Sequence, residues 1–157
     1  MGKTIYSFLG DFYHERDNVY PAVKKAAEIL GDDVILTDCA LSELSEVLDL
    51  DKTPATIIMA CEDRINPESD QVNHWLTPEM DNKITSYVKN GGSFIAIHAA
   101  LASYPKDSKY TDMLKGYFID HPQSIIKCAI SRAKNCPLVT VQSPTTMKSW
   151  TNTMSYM

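Results

Sequence analysis

The sequence lacks the short motifs by which the commonest enzyme sites are recognised. It contains no G-x-S-x-G nucleophile elbow, no P-loop, no G-x-G-x-x-G dinucleotide-binding fingerprint and no H-E-x-x-H zinc motif. The cysteines are few and widely spaced, with no C-x-x-C pair, at Cys39, Cys61, Cys128 and Cys136. Scattered cysteines of this kind are typical of reduced thiols that fill a core, which argues against a structural zinc site.

Basic clusters and long apolar runs are missing too. The 157 residues include 15 Lys and Arg against 20 Asp and Glu, for a formal net charge of −5 and a pI near 5.3. Nucleic-acid binding usually needs a basic face, so we expect no nucleic-acid partner. No apolar run approaches the length of a membrane span, and Met1–Thr4 lead into an apolar segment without a signal-peptide layout. We therefore expect a cytoplasmic protein with no membrane partner.

The chain does contain an alternation of short apolar segments and amphipathic segments. Its length fits one domain, so we expect a single domain over residues 1–157. Strands are predicted at Thr4–Leu9, Asp33–Thr37, Ala55–Ala60 and Phe94–Ile97, and two more at Ser124–Ile130 and Leu138–Gln142. Helices are predicted at Val19–Leu30 with Pro21 near the first turn, at Leu41–Leu48, from Thr77 to Asn90, and as a short turn at Tyr110–Gly116. The alternation predicts an α/β fold, with a mostly parallel sheet and helices on both faces.

The stretch Gly91–Ala100 is the most informative of these segments. Its apolar run is long enough for one buried strand, its two glycines can close the preceding helix, and the run ends on His98. In an open parallel sheet, ligands collect outside the carboxyl ends of the strands. His14 follows the first strand, so it can lie beside His98. Glu62 follows the third strand, and His121 stands in a later loop that could close over the histidines.

Each of these residues also has a purely structural interpretation. Imidazole transfers protons near neutral pH and binds metals, but a single histidine at a strand end is more often a hydrogen-bonded structural residue. His74, beside Trp75 in a polar connection, is interpreted as a surface histidine. Glu62 is either a solvated loop carboxylate or a ligand contact.

Several of the same stretches resemble the signature of the trehalose-utilisation, or ThuA-like, family. The resemblance is carried by Gly91–Ala100 with the helix end before it, by Phe12–Glu15 ahead of a helix, and by Tyr110 together with Met113–Pro122. It extends from Thr4 to the end of that last block. It implies a flavodoxin-like, three-layer α/β sandwich, as in the class I glutamine amidotransferase-like proteins. It also implies a role in carbohydrate metabolism, specifically in disaccharide utilisation.

The chain departs from that family in two places. Amidotransferases of this fold carry a nucleophilic cysteine in the turn after the matching strand, where this chain has His98 followed by two alanines. Because imidazole does not replace a thiolate in attack on the glutamine amide, we expect no glutaminase activity. The C-terminal part is also short relative to the family, with Cys136–Pro137 where a second His-Pro is usual and without an acidic D-E pair.

Two functions remain open at this point. In the first, the protein acts on or binds a sugar or a sugar derivative, with His98 as the catalytic acid or base. The ligand-binding residues around it are then His14, Glu62, His121 and Tyr110. Three imidazoles in one pocket could instead hold a divalent metal, so no cofactor is assigned. In the second, the fold is a non-catalytic module that binds a small ligand or a partner protein.

We also expect a homodimer. Apolar residues of the C-terminal tail would be covered by a second subunit; these are Trp150, Met154, Tyr156 and Met157. A small-molecule ligand of the sugar class and a second copy of the chain are therefore the partners that the sequence predicts.

Overall fold

The computed structural model of the protein describes residues 3–50 and 55–119. Four strands lie in this part of the chain: β1 (Lys3–Leu9), β2 (Val34–Cys39), β3 (Thr56–Ala60) and β4 (Ser93–Ala96). Four α-helices alternate with them: α1 (Arg16–Leu30), α2 (Leu44–Leu48), α3 (Pro78–Lys89) and α4 (Lys109–Leu114). Short 3₁₀ turns precede α2 and follow β4, at Leu41–Glu43 and His98–Leu101.

The four strands form one parallel sheet in the order β2-β1-β3-β4. In its register, Ile5 of β1 lies opposite Leu36 of β2 and Thr56 of β3. Ile58 of β3 in turn lies opposite Ile95 of β4. Because every pairing is parallel, all four strands end at the same edge of the sheet. The α/β fold predicted from the alternation of segments is thus confirmed.

Successive residues of a strand point to opposite faces of a sheet, and the core of this protein divides accordingly. Phe8 and Met59 are fully buried in the larger apolar cluster, to which α2, α3 and α4 also contribute side chains. Their chain neighbours Leu9 and Ala60 belong to a smaller cluster with Val23 of α1. Burial of one large apolar side chain contributes about 1.5–3 kcal/mol, so strands and helices stabilise each other through these clusters.

The start and the end of α3 lie where the sequence predicts them. Thr77 caps the helix, because its hydroxyl accepts a hydrogen bond from the backbone N–H of Met80 at 3.2 Å. Pro78 is the first helical residue, a position where no backbone N–H is needed. After the helix, Gly91 has a φ of +98°, the left-handed conformation that glycine adopts without strain.

Glycine is required at position 92 for a different reason from that at position 91. A Cβ atom added to Gly92 would lie 2.2 Å from Cε1 of Tyr87, far inside contact distance. Tyr87 is buried, and its hydroxyl donates a hydrogen bond to the carbonyl of Ala55, just before β3. The missing side chain at Gly92 therefore lets the ring of Tyr87 pack across the start of β3 and β4.

Helix α1 begins earlier than the hydrophobic periodicity predicts. The pattern starts at Val19 with Pro21 near the first turn, whereas the helix begins at Arg16 and contains Pro21 as its sixth residue. In the preceding turn the backbone N–H of Asp11 donates to the carbonyl of His14 at 2.9 Å, and the chain then enters the helix directly. The first helical turn is polar, so a hydrophobic pattern does not reveal it.

Two strand ends also differ from the prediction. β2 continues to Cys39 rather than Thr37, because Cys39 still pairs with Phe8 of β1, and β4 ends at Ala96. The predicted strands at Ser124–Ile130 and Leu138–Gln142 and the apolar tail lie outside the described residues. Within those residues, no helix is long and apolar enough to cross a membrane.

Replacing Gly92 with alanine is expected to destabilise the protein by about 1–3 kcal/mol, because the new methyl group would overlap the ring of Tyr87. Chemical denaturation measures this loss. Gly116→Ala is the matched control, since no described atom lies within 4 Å of its Cβ position, and its free energy of unfolding should change by no more than about 1 kcal/mol. Equal stability of the two variants would contradict the close packing at Gly92.

Candidate functional site

The turn between β1 and α1 is organised by the side chain of Asp11. Its Oδ1 accepts hydrogen bonds from the backbone N–H groups of Tyr13 and His14, both at 2.9 Å, and lies 2.8 Å from Nδ1 of His14. Its Oδ2 accepts the backbone N–H of Glu62 at 3.0 Å. The Asp11 side chain is only 4% exposed. One carboxylate therefore orients the imidazole of His14 and joins the carboxyl ends of β1 and β3.

The approach of His14 to His98, predicted from the parallel sheet, is confirmed. Nε2 of His14 lies 3.1 Å from Nε2 of His98, and the two rings meet edge to face. Because Nδ1 of His14 faces the carboxylate of Asp11, that nitrogen carries the hydrogen and Nε2 of the neutral ring is an acceptor. Nε2–H of His98 is then the donor, and Nδ1 of His98 keeps a lone pair that can accept a proton.

His98 stands at the carboxyl end of β4 in a strained backbone conformation. Its φ of +46° lies in the left-handed region, which costs a residue with a Cβ atom about 1–2 kcal/mol. The strand ends at Ala96, and the chain turns into the 3₁₀ turn with the imidazole of His98 against His14. Strain of this kind persists only where the surrounding structure holds it, and it clusters at functional sites.

The surroundings of His98 favour its neutral form. Partial burial lowers its pKa below the ordinary value of 6.5, and the neighbouring His14 lowers it further, whereas Asp11 acts in the opposite direction. A neutral imidazole can accept a proton at pH 7, which is what a general base requires. The series Asp11, His14 and His98 can therefore draw a proton from a bound group toward a buried carboxylate.

Glu62 follows β3 as predicted, but it is not a solvated loop carboxylate. It is 4% exposed, and its Oε2 accepts hydrogen bonds from the guanidinium of Arg64, at 2.8 Å, and from the hydroxyl of Ser103, at 3.2 Å. Ser103 also has a left-handed backbone, with a φ of +67°. Sequence reasoning missed Arg64 and Ser103, because their contacts depend on how the segment after β4 packs against the end of β3. No motif signals either residue.

The thiol of Cys61 is not available as a nucleophile. It is buried and donates a hydrogen bond to the carbonyl of Phe8 at 3.3 Å, and burial raises its pKa to about 12. The thiolate, which is the reactive form, is therefore essentially absent at neutral pH. Cys39, the other cysteine in the described part of the chain, also has a raised pKa, mainly through burial.

One of the predicted ligand-binding residues, Tyr110, lies in the core rather than at this edge of the sheet. Tyr110 is fully buried, its hydroxyl donates to the carbonyl of Ala100 at 2.9 Å, and burial raises its pKa. Its ring stacks on Tyr104, with 4.5 Å between the ring centroids. The structure therefore places Tyr110 in the core beneath the turn after β4, where its side chain is not accessible. His121 lies outside the described residues.

A second Asp–His pair lies in the connection after β3. Asp63 is fully buried; its Oδ2 lies 2.5 Å from Nδ1 of His74, and its Oδ1 accepts the backbone N–H of Leu76 at 2.9 Å. Burial raises the pKa of Asp63, although these two hydrogen bonds oppose the shift. The side chain of His74 is 47% exposed. His74 is thus a surface histidine, as interpreted, but it also ties its connection to a buried carboxylate.

A metal centre would need more ligands than the histidine pair provides. Within residues 3–50 and 55–119, no group of three or more His, Cys, Asp or Glu side chains is placed to hold one ion. His14 and His98 provide two imidazoles, and Asp11 supports His14 from behind, as carboxylates do for metal-bound histidines. Two imidazoles alone do not complete a tetrahedral site.

Comparison of the chain with models of protein families, with curated proteins and with solved structures gave no match. The functional interpretation therefore depends on the residues themselves and on their geometry.

The pKa of His98 provides a direct test of this geometry. We expect its imidazole to titrate below 6.5, and Asp11→Asn to lower the pKa further, because the carboxylate favours the protonated ring. An NMR pH titration of the histidine Cε1–H signals measures both values. Asp112→Asn, which removes an exposed carboxylate paired with Lys115, should leave the titration of His98 unchanged. A His98 pKa at or above 6.5 would contradict the arrangement.

The same shift makes the folded state sensitive to acid. Because the pKa of His98 is lower in the folded than in the unfolded chain, the unfolded chain binds the proton first as the pH falls through 6.5. We therefore expect the free energy of unfolding to decrease below that pH, and His98→Asn to make the decrease smaller. Urea denaturation of both proteins at pH 7 and at pH 5.5 measures the difference. An identical decrease in both proteins would contradict a lowered pKa.

Proposed function

We propose that the protein is a ThuA-like protein of carbohydrate utilisation. In this proposal it binds a sugar or a sugar derivative at the carboxyl ends of the strands and exchanges protons with it through His98. The observation that carries the proposal is the continuous series from the carboxylate of Asp11 through His14 to His98, with contacts of 2.8 and 3.1 Å. An imidazole aligned by a buried carboxylate, beside the group that reacts, recurs in unrelated enzymes that transfer protons.

The assigned hydrogens define how a proton moves. Nδ1 of His98 accepts a proton from the ligand, and His98 becomes positively charged. It then passes the proton on its Nε2 to Nε2 of His14, which carries hydrogen on both nitrogens and forms an ion pair with Asp11. The reverse transfers return a proton to the ligand. Asp11 is a positioning residue in this scheme, because it touches His14 and not the ligand.

The order of the strands supports the finer fold assignment within the proposal. The order β2-β1-β3-β4 corresponds to the first four strands of the flavodoxin-like order 2-1-3-4-5, the three-layer sandwich that the resemblance implies. In that topology the winding of the chain reverses between β1 and β3, and ligands bind beside this switch point. Asp11 follows β1 and Glu62 follows β3, so both stand at this position.

Glutamine amidotransfer is not part of the proposal. It needs a thiolate in the turn after β4, where this chain carries His98. Cys61 ends a different strand, and its raised pKa keeps it protonated at neutral pH. The polar groups at this edge are imidazoles, carboxylates, a hydroxyl and guanidinium groups already paired with carboxylates, which suit hydrogen bonding to a sugar and proton transfer.

A ligand screen of the wild-type protein and of His98→Asn tests the proposal. Asparagine tolerates the left-handed backbone of His98, so this variant removes the imidazole without adding strain. We expect at least one sugar or oxidised sugar to raise the melting temperature of the wild type by mass action, and His98→Asn to lose most of that rise. NMR in heavy water then follows the exchange of ligand protons for deuterium.

His74→Asn is the matched control, because His74 also pairs with an aspartate but lies in the connection after β3. This variant should keep the ligand-induced rise in melting temperature. Stabilisation that persists in a folded His98→Asn variant would contradict the proposed site. If no sugar or oxidised sugar stabilises the wild type, the proposal fails, and the alternative of a non-catalytic interaction module takes its place.

A further inference from the structure

One oxygen of Glu62 is buried without a hydrogen-bond partner. Its Oε2 is bonded to Arg64 and Ser103, but its Oε1 has no partner among the residues that the structure describes. A carboxylate oxygen that loses water and gains no donor destabilises the fold. Native proteins keep few such groups, and each calls for an explanation, such as a catalytic role or a bound water or ion.

Glu62 lines a cavity at the carboxyl ends of β1 and β3. The cavity has a volume of about 450 Å³, within the range of small-molecule sites. Asp11 lines it together with Glu62, and Phe12 and Trp75 contribute aromatic surface. Neither His14 nor His98 lines the cavity, but Asp11 connects it to them, because its carboxylate also holds the ring of His14.

The arginines in the wall of this cavity are already paired. Arg64 forms an ion pair with Glu62 at 2.8 Å, and Arg16 pairs with Asp38 at 2.5 Å and with Asp17 at 2.8 Å. Sites for phosphate or carboxylate normally present guanidinium groups whose charge is free for the ligand. Both arginines of this wall are instead paired with carboxylates of the protein. The group in this wall that lacks a partner within the described part of the chain is Oε1 of Glu62, which can accept a hydrogen bond from a ligand.

We propose that Glu62 binds a hydroxyl group of an uncharged sugar in this cavity. The inference rests on the proposed function and names the chemical class of its ligand. The ligand hydroxyl donates to Oε1, while the rings of Phe12 and Trp75 contact the apolar face of the sugar. Arg64 is one-third exposed and places both of its hydrogen bonds on Oε2, so it leaves the hydrogen-bonding capacity of Oε1 unused. A phosphate or carboxylate would instead bring a second negative charge beside Glu62 and Asp11.

The segment after β4 keeps this carboxylate at a fixed place relative to His98. The hydroxyl of Ser103 donates to Oε2 of Glu62 at 3.2 Å, and the hydroxyl of Tyr104 donates to the carbonyl of Cys61 at 2.7 Å. His98 lies in the same segment, at the start of the 3₁₀ turn that precedes Ser103. A sugar hydroxyl held by Glu62 is therefore positioned by the element that also carries the proposed acid–base group.

Sugars with and without a phosphate test the inference on the wild-type protein. Glucose is compared with glucose 6-phosphate, and trehalose with trehalose 6-phosphate, by calorimetric titration at constant ionic strength. We expect the uncharged member of at least one pair to bind, and its phosphate to bind at least about tenfold more weakly. This comparison needs no variant, so it holds even if a substitution at Glu62 prevents folding.

Glu62→Gln supplies the second measurement. It removes the charge that strengthens the hydrogen bond from the ligand, so we expect it to weaken binding of the uncharged sugar about tenfold. Glu68→Gln is the matched control, an exposed glutamate in the same connection, and it should bind as the wild type does.

Three outcomes would overturn the inference. Phosphates that bind as tightly as the uncharged sugars, and that no longer bind to His98→Asn, would refute the class of ligand but leave the proposed function in place. Wild-type affinity in a folded Glu62→Gln variant would refute the role of Glu62. Absence of binding by all four compounds would refute both the ligand class and the cavity, and the oxidised sugars of the wider screen would then decide the proposed function separately.

Discussion

The carboxylate of Asp11 is the interaction on which this edge of the sheet depends. It accepts hydrogen bonds from the turn after β1, from the ring of His14, and from the backbone N–H of Glu62 at the end of β3. A buried carboxylate needs such donors, because it has exchanged water for protein. The turn after β1 and the end of β3 supply these donors, and the same hydrogen bonds fix the positions of the turn and the strand end. Without Asp11, the turn, the orientation of His14 and the link to the cavity at Glu62 would all be lost together.

The polar residues at this edge of the sheet lie above an aromatic core. The packing of that core compensates for backbone strain in the segment after β4. The segment after β4 contains two left-handed residues, His98 and Ser103, each of which costs about 1–2 kcal/mol. Beneath it, Tyr110 stacks on Tyr104 and meets Phe94 edge to face. Aromatic pairs of this kind contribute about 0.5–1.5 kcal/mol beyond the area they bury, and both tyrosine hydroxyls are bonded to backbone carbonyls. The core thus offsets the strain that brings His98 and Ser103 into position.

The type and order of the elements depend on local pattern and strand direction and could be predicted from the sequence, although some element ends, such as the polar first turn of α1, could not. The strands are apolar runs, and parallel strands end at one edge, so the approach of His14 to His98 followed without any contact being known. Contacts that depend on the direction of a side chain could not be predicted from the sequence. The hydroxyl of Ser103 donates to Glu62 from a left-handed backbone position, and no motif signals that conformation. Tyr110 was a ligand contact by resemblance alone, and its complete burial reflects packing against the sheet, which a resemblance does not report.

The candidate site has two parts, one around His98 and one around Glu62. They differ in their electrostatics, and the difference determines the chemistry that each part suits. Around His98, partial burial and a second imidazole disfavour the charged ring, so this part is suited to taking up a proton and releasing it again. At Glu62, the guanidinium of Arg64 holds one carboxylate oxygen, and the other has no hydrogen-bond partner among the described residues. The two parts share Asp11, whose two oxygens face His14 and the backbone of Glu62. Because one of these hydrogen bonds joins the ends of β1 and β3 and the other aligns the ring of His14, both groups are oriented before any ligand binds, which lowers the ordering cost of binding.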